Sequence, residues 1–173
     1  MKQIHNVCMF SPDRKHRYTL KHQAAPLFGG NRMLMWCALN PSTADEVQLD
    51  PTLTRIRGYT LREGFDGFIM TNLFAWRATD PKEMKAAADP VGPENDHWLL
   101  ECARQCGKIV AAWGSHGSFM DRDIQVCSLL KDFEMVCLKK NNDGAPAHPL
   151  YLNNTLQFIP FNPTRTAAKP TRQ

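Results

Sequence analysis

The sequence predicts an α/β domain built on a central, mainly parallel four-stranded sheet. Two observations carry this. Four apolar runs have the length of strands: Met33-Leu-Met-Trp-Cys-Ala-Leu39, Gly67-Phe-Ile-Met-Thr-Asn-Leu-Phe74, Lys108-Ile-Val-Ala-Ala-Trp113 and Glu134-Met-Val-Cys-Leu138. Runs that are apolar on both faces suit strands covered on both sides. Between them lie segments with helix signals, so strand and helix alternate, which implies parallel strands joined by right-handed crossovers.

The elements follow in order. A turn at Pro12-Asp13 precedes Arg17-Tyr-Thr-Leu20, read as a short strand on the edge of the sheet. Gly29-Gly30-Asn31 turns the chain into the first apolar run, which stops at Asn40-Pro41. Asp50 and Pro51 have the residue types of an N-cap and a first helical position, and the helix they open ends near Gly64. Asp80-Pro81 opens a short helix through Ala88. Pro93 opens a longer one, with Trp98, Leu99, Cys102 and Ala103 at helical spacing. A further helix is expected over 121–130. Residues 1–157 are read as one domain and 158–173 as a basic flexible tail, with Arg165, Lys169 and Arg172 and no acids.

Composition narrows the function classes. The chain has 173 residues, 43% hydrophobic and 22% charged, with a formal net charge of +4. That excludes a disordered chain, and no apolar run approaches the length of a membrane helix. With no signal-peptide core at the N-terminus, the expectation is a cytoplasmic protein without membrane contact. Six cysteines, with no C-x-x-C pair, read as reduced and mostly buried thiols. The basic excess is uneven. Before Met33 the bases Lys2, Arg14, Lys15, Arg17, Lys21 and Arg32 face the single acid Asp13.

In a parallel sheet, ligands bind at the carboxyl ends of the strands. Four segments sit there: Asn40-Pro-Ser-Thr43, Asn72-Leu-Phe-Ala-Trp76, Gly114-Ser-His116 and His148-Pro-Leu-Tyr-Leu152. Each has a plain reading beside a functional one. Ser42 or Thr43 can simply cap a turn, or the turn can aim Asn40 at a ligand. Asn72 is either a satisfied structural amide or a base-reading carboxamide that donates and accepts side by side. His116 and His148 are either structural or site histidines. Trp76 either packs in the core or faces the site.

Taken together, the four strand ends resemble the uracil-DNA glycosylase superfamily. Several of its members carry G-[IM]-N-P-G after the first core strand, where this chain has Ala38-Leu-Asn-Pro-Ser42. Its iron–sulfur type ends a strand in I-T-N-V-V, here Met70-Thr-Asn-Leu-Phe74. It carries V-x-A-L-G after the third strand, here Val110-Ala-Ala-Trp-Gly114, and H-P-A-Y-L at the end, here His148-Pro-Leu-Tyr-Leu152. The iron–sulfur ligands do not align, and Ala38 replaces the usual Gly. The chain resembles still more closely an uncharacterised bacterial and phage family, domain of unknown function 1643. Asn40-Pro-Ser-Thr-Ala-Asp45, Arg77-Ala-Thr-Asp-Pro81, Ala88-Asp-Pro-Val-Gly-Pro-Glu-Asn95 and His148-Pro-Leu-Tyr151 look like its signature.

The glycosylase likeness implies a three-layer α/β/α fold and hydrolysis of the N-glycosidic bond of a flipped-out uracil or 5-modified pyrimidine in DNA, in repair or phage defence. It assigns Asn40 to water positioning and His148 to hydrogen bonding of the departing base, with Asp45 (or Glu46 or Asp50) as the carboxylate. Asn72, Ser42, Trp76 and His116 would contact the base, and Ser42, where uracil-selective relatives have Tyr, leaves room at the 5-position. Arg77, Arg14 and Arg17 would hold phosphates, while Leu150 and Tyr151 form the wedge that fills the vacated stack. The partner is single-stranded DNA or a duplex with a flipped base, the protein a monomer, and no metal or other cofactor is expected. Two alternatives stay open: a non-catalytic binder of modified or flipped bases, and a hydrolase or transferase of free nucleotides.

Overall fold

A computed structural model describes residues 6–23, 30–42 and 49–163. Its elements in chain order are β1 (Val7–Phe10), β2 (Arg17–Gln23), β3 (Met33–Ala38), α1 (Pro51–Arg62), β4 (Gly67–Asn72), α2 (Pro81–Ala86) and α3 (Asn95–Cys106). After these come β5 (Lys108–Ala111), a 3₁₀ segment (Ser115–Asp121), α4 (Arg122–Leu129), β6 (Glu134–Cys137) and β7 (Ile159–Pro160).

The strands form one seven-stranded sheet in the order β1-β2-β4-β3-β5-β6-β7. It is mixed: β3 pairs parallel with β4 and β5, and β5 with β6, whereas β1–β2, β2–β4 and β6–β7 are antiparallel. This corrects the expected mainly parallel four-stranded sheet, since antiparallel strands extend it on both sides. The reason is partly covalent. The short connection between β1 and β2 permits an antiparallel pairing and no crossover, and Ser11 and His16 close it, with the Ser11 N–H donating to the His16 carbonyl at 3.0 Å. The edge strand is therefore β1, and β2 lies inside, between β1 and β4. At the far side, β7 falls within the expected tail. Ile159 pairs with Cys137, and Phe161 is buried. The rest of that tail, from 164, lies outside the described residues.

Alternation explains the continuous apolar run of β3. Met33, Met35 and Cys37 pack with Leu99, Cys102 and Ala103 of α3 and Val126 of α4. Leu34, Trp36 and Ala38 point the other way, onto Leu53, Ile56 and Tyr59 of α1. Successive side chains of a strand point to opposite faces, so a strand sandwiched between helices has no face left for polar residues. The one polar atom of Trp36 is satisfied, its Nε1–H donating to Thr60 Oγ1 at 3.0 Å. α1 starts where Asp50 Oδ1 accepts from the Leu53 N–H at 2.8 Å, with Pro51 at the first helical position. Asp80 caps α2 in the same way, through the Lys82 N–H. No helix among the described residues is long and apolar enough to cross a membrane.

Candidate functional site

The carboxyl ends of β3, β4 and β5 and the loop after β6 open into a cleft of about 500 Å³. That volume is within the range of small-molecule sites. Asn40, Ser42, Asn72, His116, His148 and Leu150 all line it, as do Arg17 and Asp50.

Asn72 ends β4 with its side chain 1% exposed. Its Oδ1 is buried and accepts no hydrogen bond. A buried carbonyl without a partner costs roughly 1–3 kcal/mol, and Asn72 Oδ1 is such an acceptor at the strand end. The backbone beneath it is firmly held. Asn95 Nδ2 donates to the carbonyls of Asn72 and Leu73, at 3.0 Å each. Arg122 Nε donates to the Leu73 carbonyl at 2.8 Å, and its other end pairs with Asp96.

Asn40 follows β3. Its Nδ2 donates to the carbonyls of Pro41 and Ala78, at 3.1 and 2.8 Å. With both amide hydrogens engaged, Oδ1 is the atom left to act, and it acts as an acceptor.

His148 has its tautomer set by the backbone. The Leu150 N–H donates to Nδ1 at 3.2 Å, so in the neutral ring Nε2 carries the hydrogen and is a donor. Desolvation pushes the His148 pKa below the ordinary 6.5, with Asp50 pulling the opposite way. The ring is therefore neutral at neutral pH. His116 has a similar polarity: the Lys85 ammonium lies 3.1 Å from its Nδ1, and an ammonium only donates, so the free ring nitrogen is again an N–H.

Asp50 is the carboxylate of this cleft among the described residues. Its Oδ2 accepts from Ser42 Oγ at 2.8 Å while Oδ1 caps α1. Both oxygens being engaged, it serves as a fixed negative charge better than as a proton acceptor. Arg17, 3% exposed, also lines the cleft. Burial pulls its pKa below the ordinary arginine value, and the charge of Arg77 adds to this.

Other expected site residues lie elsewhere. Trp76 does not line the cleft; it packs edge-on against His16, with ring centroids 5.4 Å apart. Arg14 and Arg77 stack on Phe10, their guanidinium carbons 3.9 and 5.0 Å from the ring centre. Tyr151, 91% exposed with φ +68°, forms a shallow surface groove with Leu150, Leu49 and Pro51. Asp45 and Glu46 lie outside the described residues. Gly114, at φ +69°, turns the chain from β5 toward His116, its N–H donating to the Pro146 carbonyl at 2.8 Å.

The residues that sequence reasoning missed are Asn95 and Arg122. Asn95 closes one of the signature stretches but carried no role there, Arg122 belongs to no local pattern, and each acts on a strand end more than twenty positions away. None of the six thiols is in a disulfide, and burial raises Cys37 to about 12. Among the described residues, no group of three or more His, Cys, Asp or Glu could hold a metal ion.

Residues 17–150 match a family described as a protein of unknown function, DUF1643. The match opens at Arg17 and closes at Leu150, both of which line the cleft. No curated protein and no solved structure matches the chain.

Proposed function

We propose that this chain, which belongs to the DUF1643 family, is a DNA glycosylase-like hydrolase that cleaves the N-glycosidic bond of an extruded uracil or 5-modified pyrimidine. One observation carries the reading. A buried carboxamide with an unpartnered oxygen, Asn72, shares a cleft with Asn40 and His148. The strand-end likeness to uracil-DNA glycosylases described above supports it as well.

The chemistry follows from the three groups. Asn72 pairs with the edge of the base, where the donor and acceptor of a carboxamide match an adjacent acceptor and donor. His148 Nε2–H donates to the base oxygen on which charge grows as the bond breaks. Asn40 Oδ1 accepts from a water and turns its lone pair toward the sugar carbon. Ser42, held by Asp50, is small beside the ring and admits a 5-substituent. Arg14 and Arg77 on Phe10 hold phosphates, and Leu150 and Tyr151 fill the vacated stack.

A non-catalytic binder of flipped or modified bases is the second reading. It is favoured by the engagement of both Asp50 oxygens, which leaves the described cleft without a free carboxylate base. The test incubates the full chain with single-stranded and duplex oligonucleotides. These carry uracil, thymine mismatches, or 5-hydroxymethyl or glucosylated pyrimidines. An abasic product from at least one is expected. Clean binding with no abasic product from any of them overturns the enzyme reading.

A further inference from the structure

Helix α1 carries a basic stripe that none of the roles above uses. Pro51–Arg62 holds three arginines and no acid. Leu53, Ile56 and Tyr59 face the core. Thr54, Arg55, Gly58 and Arg62 recur at helical spacing on the other face and line a groove that Asn154 closes. At Pro51, Thr54 and Arg55 this groove meets the one formed by Leu150 and Tyr151, and Leu150 also lines the cleft. A path of shared residues thus leads from the cleft, over Leu150, onto α1.

The groove is built firmly, with one cation left over. Arg62 donates to the carbonyls of Asn154 and Leu156, at 2.6 Å each, and pairs with Glu63. Tyr59 Oη donates to the Asn153 carbonyl at 2.8 Å. Arg62 is therefore engaged in the wall. Arg55 is not: its Nε is buried and meets no acceptor, and no carboxylate pairs with its guanidinium among the described residues. A buried charged donor without an acceptor is costly. Gly58 is a poor helix former in mid-helix, yet a Cβ there would meet nothing within 4 Å. The packing of the protein does not call for this glycine; its bare backbone opens the groove to the close approach of another group.

Resting on the glycosylase reading, we infer that the α1 groove is a further DNA contact, in which Arg55 binds a phosphodiester of the strand flanking the extruded base. The occupant is an anion, because Arg55 has no carboxylate beside it. It offers two oxygens, because Nε–H and a neighbouring N–H of a guanidinium form a two-donor edge that matches a phosphate. It is a chain, because the groove runs on from Arg55 to Leu150 and to the exposed Tyr151 ring, a face on which a base can stack.

The test measures binding to a labelled single-stranded oligonucleotide by fluorescence anisotropy across a range of salt. The oligonucleotide carries one 2′-fluoro-2′-deoxyuridine, whose sugar resists cleavage, and 2′-deoxyuridine monophosphate alone is the comparison ligand. Arg55→Gln is expected to weaken oligonucleotide binding about 10- to 100-fold, the scale of a hydrogen bond to a charged group. The slope of log Kd against log salt is expected to fall by about 0.7, one single-strand phosphate contact. Arg55→Lys, which keeps the charge, recovers part of the affinity. Gly58→Glu brings in a better helix former, so it melts no lower than the parent, while its carboxylate repels the strand and weakens binding. It decides the matter if Arg55→Gln does not fold. Binding of the mononucleotide is expected to stay unchanged in all three. Affinities and slopes like the parent's overturn the inference and leave the glycosylase reading standing. So does a loss with the parent's salt slope, the sign of an uncharged contact, or an equal loss on both ligands, the sign of a site for free phosphate. Weakened oligonucleotide binding in the variants, with no base released from deoxyuridine by the parent chain, upholds the groove as a strand site and removes the glycosylase reading. If the parent binds no oligonucleotide, both fall.

Discussion

Asn95 Nδ2 donates to the backbone carbonyl of Asn72 at 3.0 Å, and to that of Leu73 at the same distance. A side chain at the start of α3 thus fixes the end of β4, the point from which the Asn72 carboxamide faces the cleft. Replacing Asn95 by Ala leaves two buried carbonyls without this donor. The expected cost is about 1–3 kcal/mol of stability, read by urea denaturation. A change below about 0.5 kcal/mol, the scale of an ordinary surface substitution, would show that Arg122 alone holds the strand end.

Asn72 itself behaves in the opposite way. Its Oδ1 has no partner to lose, so Asn72→Leu is expected to be neutral or stabilising by about 1 kcal/mol while base recognition disappears. Thermal melts and base-release assays on the same sample check both halves. Strong destabilisation would make Asn72 a structural amide after all.

His148 gives a pH dependence with a definite sign. Its folded pKa lies below the ordinary 6.5 because of desolvation. Its contribution to stability is therefore complete above 6.5 and lost as the pH falls through the lowered folded value. His22, also shifted down by desolvation, acts in the same sense, so a stability curve reads both. The rate separates them. Protonated Nδ1 cannot accept from the Leu150 N–H, so kcat/KM is expected to fall in acid with a midpoint below 6.5. His148→Gln is expected to remove that limb. A midpoint above 6.5 would contradict the neutral role.

Tyr151 keeps a left-handed backbone, φ +68°, with its ring in solvent. A non-glycine residue pays about 1–2 kcal/mol for that conformation, so Tyr151→Gly is expected to raise stability. If Leu150 and Tyr151 form the wedge, the same variant loses activity on duplex DNA and keeps it on single strands, where nothing need be unstacked. An equal loss on both substrates would remove Tyr151 from base extrusion.

Much of the scaffold was legible because its signals are local. The buried run of β3 and the Asp50-Pro51 and Asp80-Pro81 starts each depend on a few consecutive residues. The strand-end rule then pointed to Asn40, Asn72, His116 and His148, which the fold brings to one cleft. The rest depends on partners distant in sequence. Val-Cys-Met-Phe of β1 has no polar residue to mark its alternation, and β7 is two residues long, so the antiparallel flanks left no pattern. Arg17 opens a strand with several polar residues and looks like a surface base, yet its side chain is buried and lines the cleft. Trp76 sits just past a strand end and still packs on His16, because the two residues form an isolated bridge.

The central claim is that the cleft around Asn72 takes a pyrimidine and releases it from its sugar. The most direct measurement is single-turnover formation of an alkali-labile site at one modified pyrimidine in a labelled oligonucleotide, with the parent chain and Asn72→Leu run in parallel. The account predicts strand cleavage after alkali for the parent chain, and none for the folded variant. Intact strands from the parent across all the pyrimidines named above, or equal cleavage by both proteins, would contradict it.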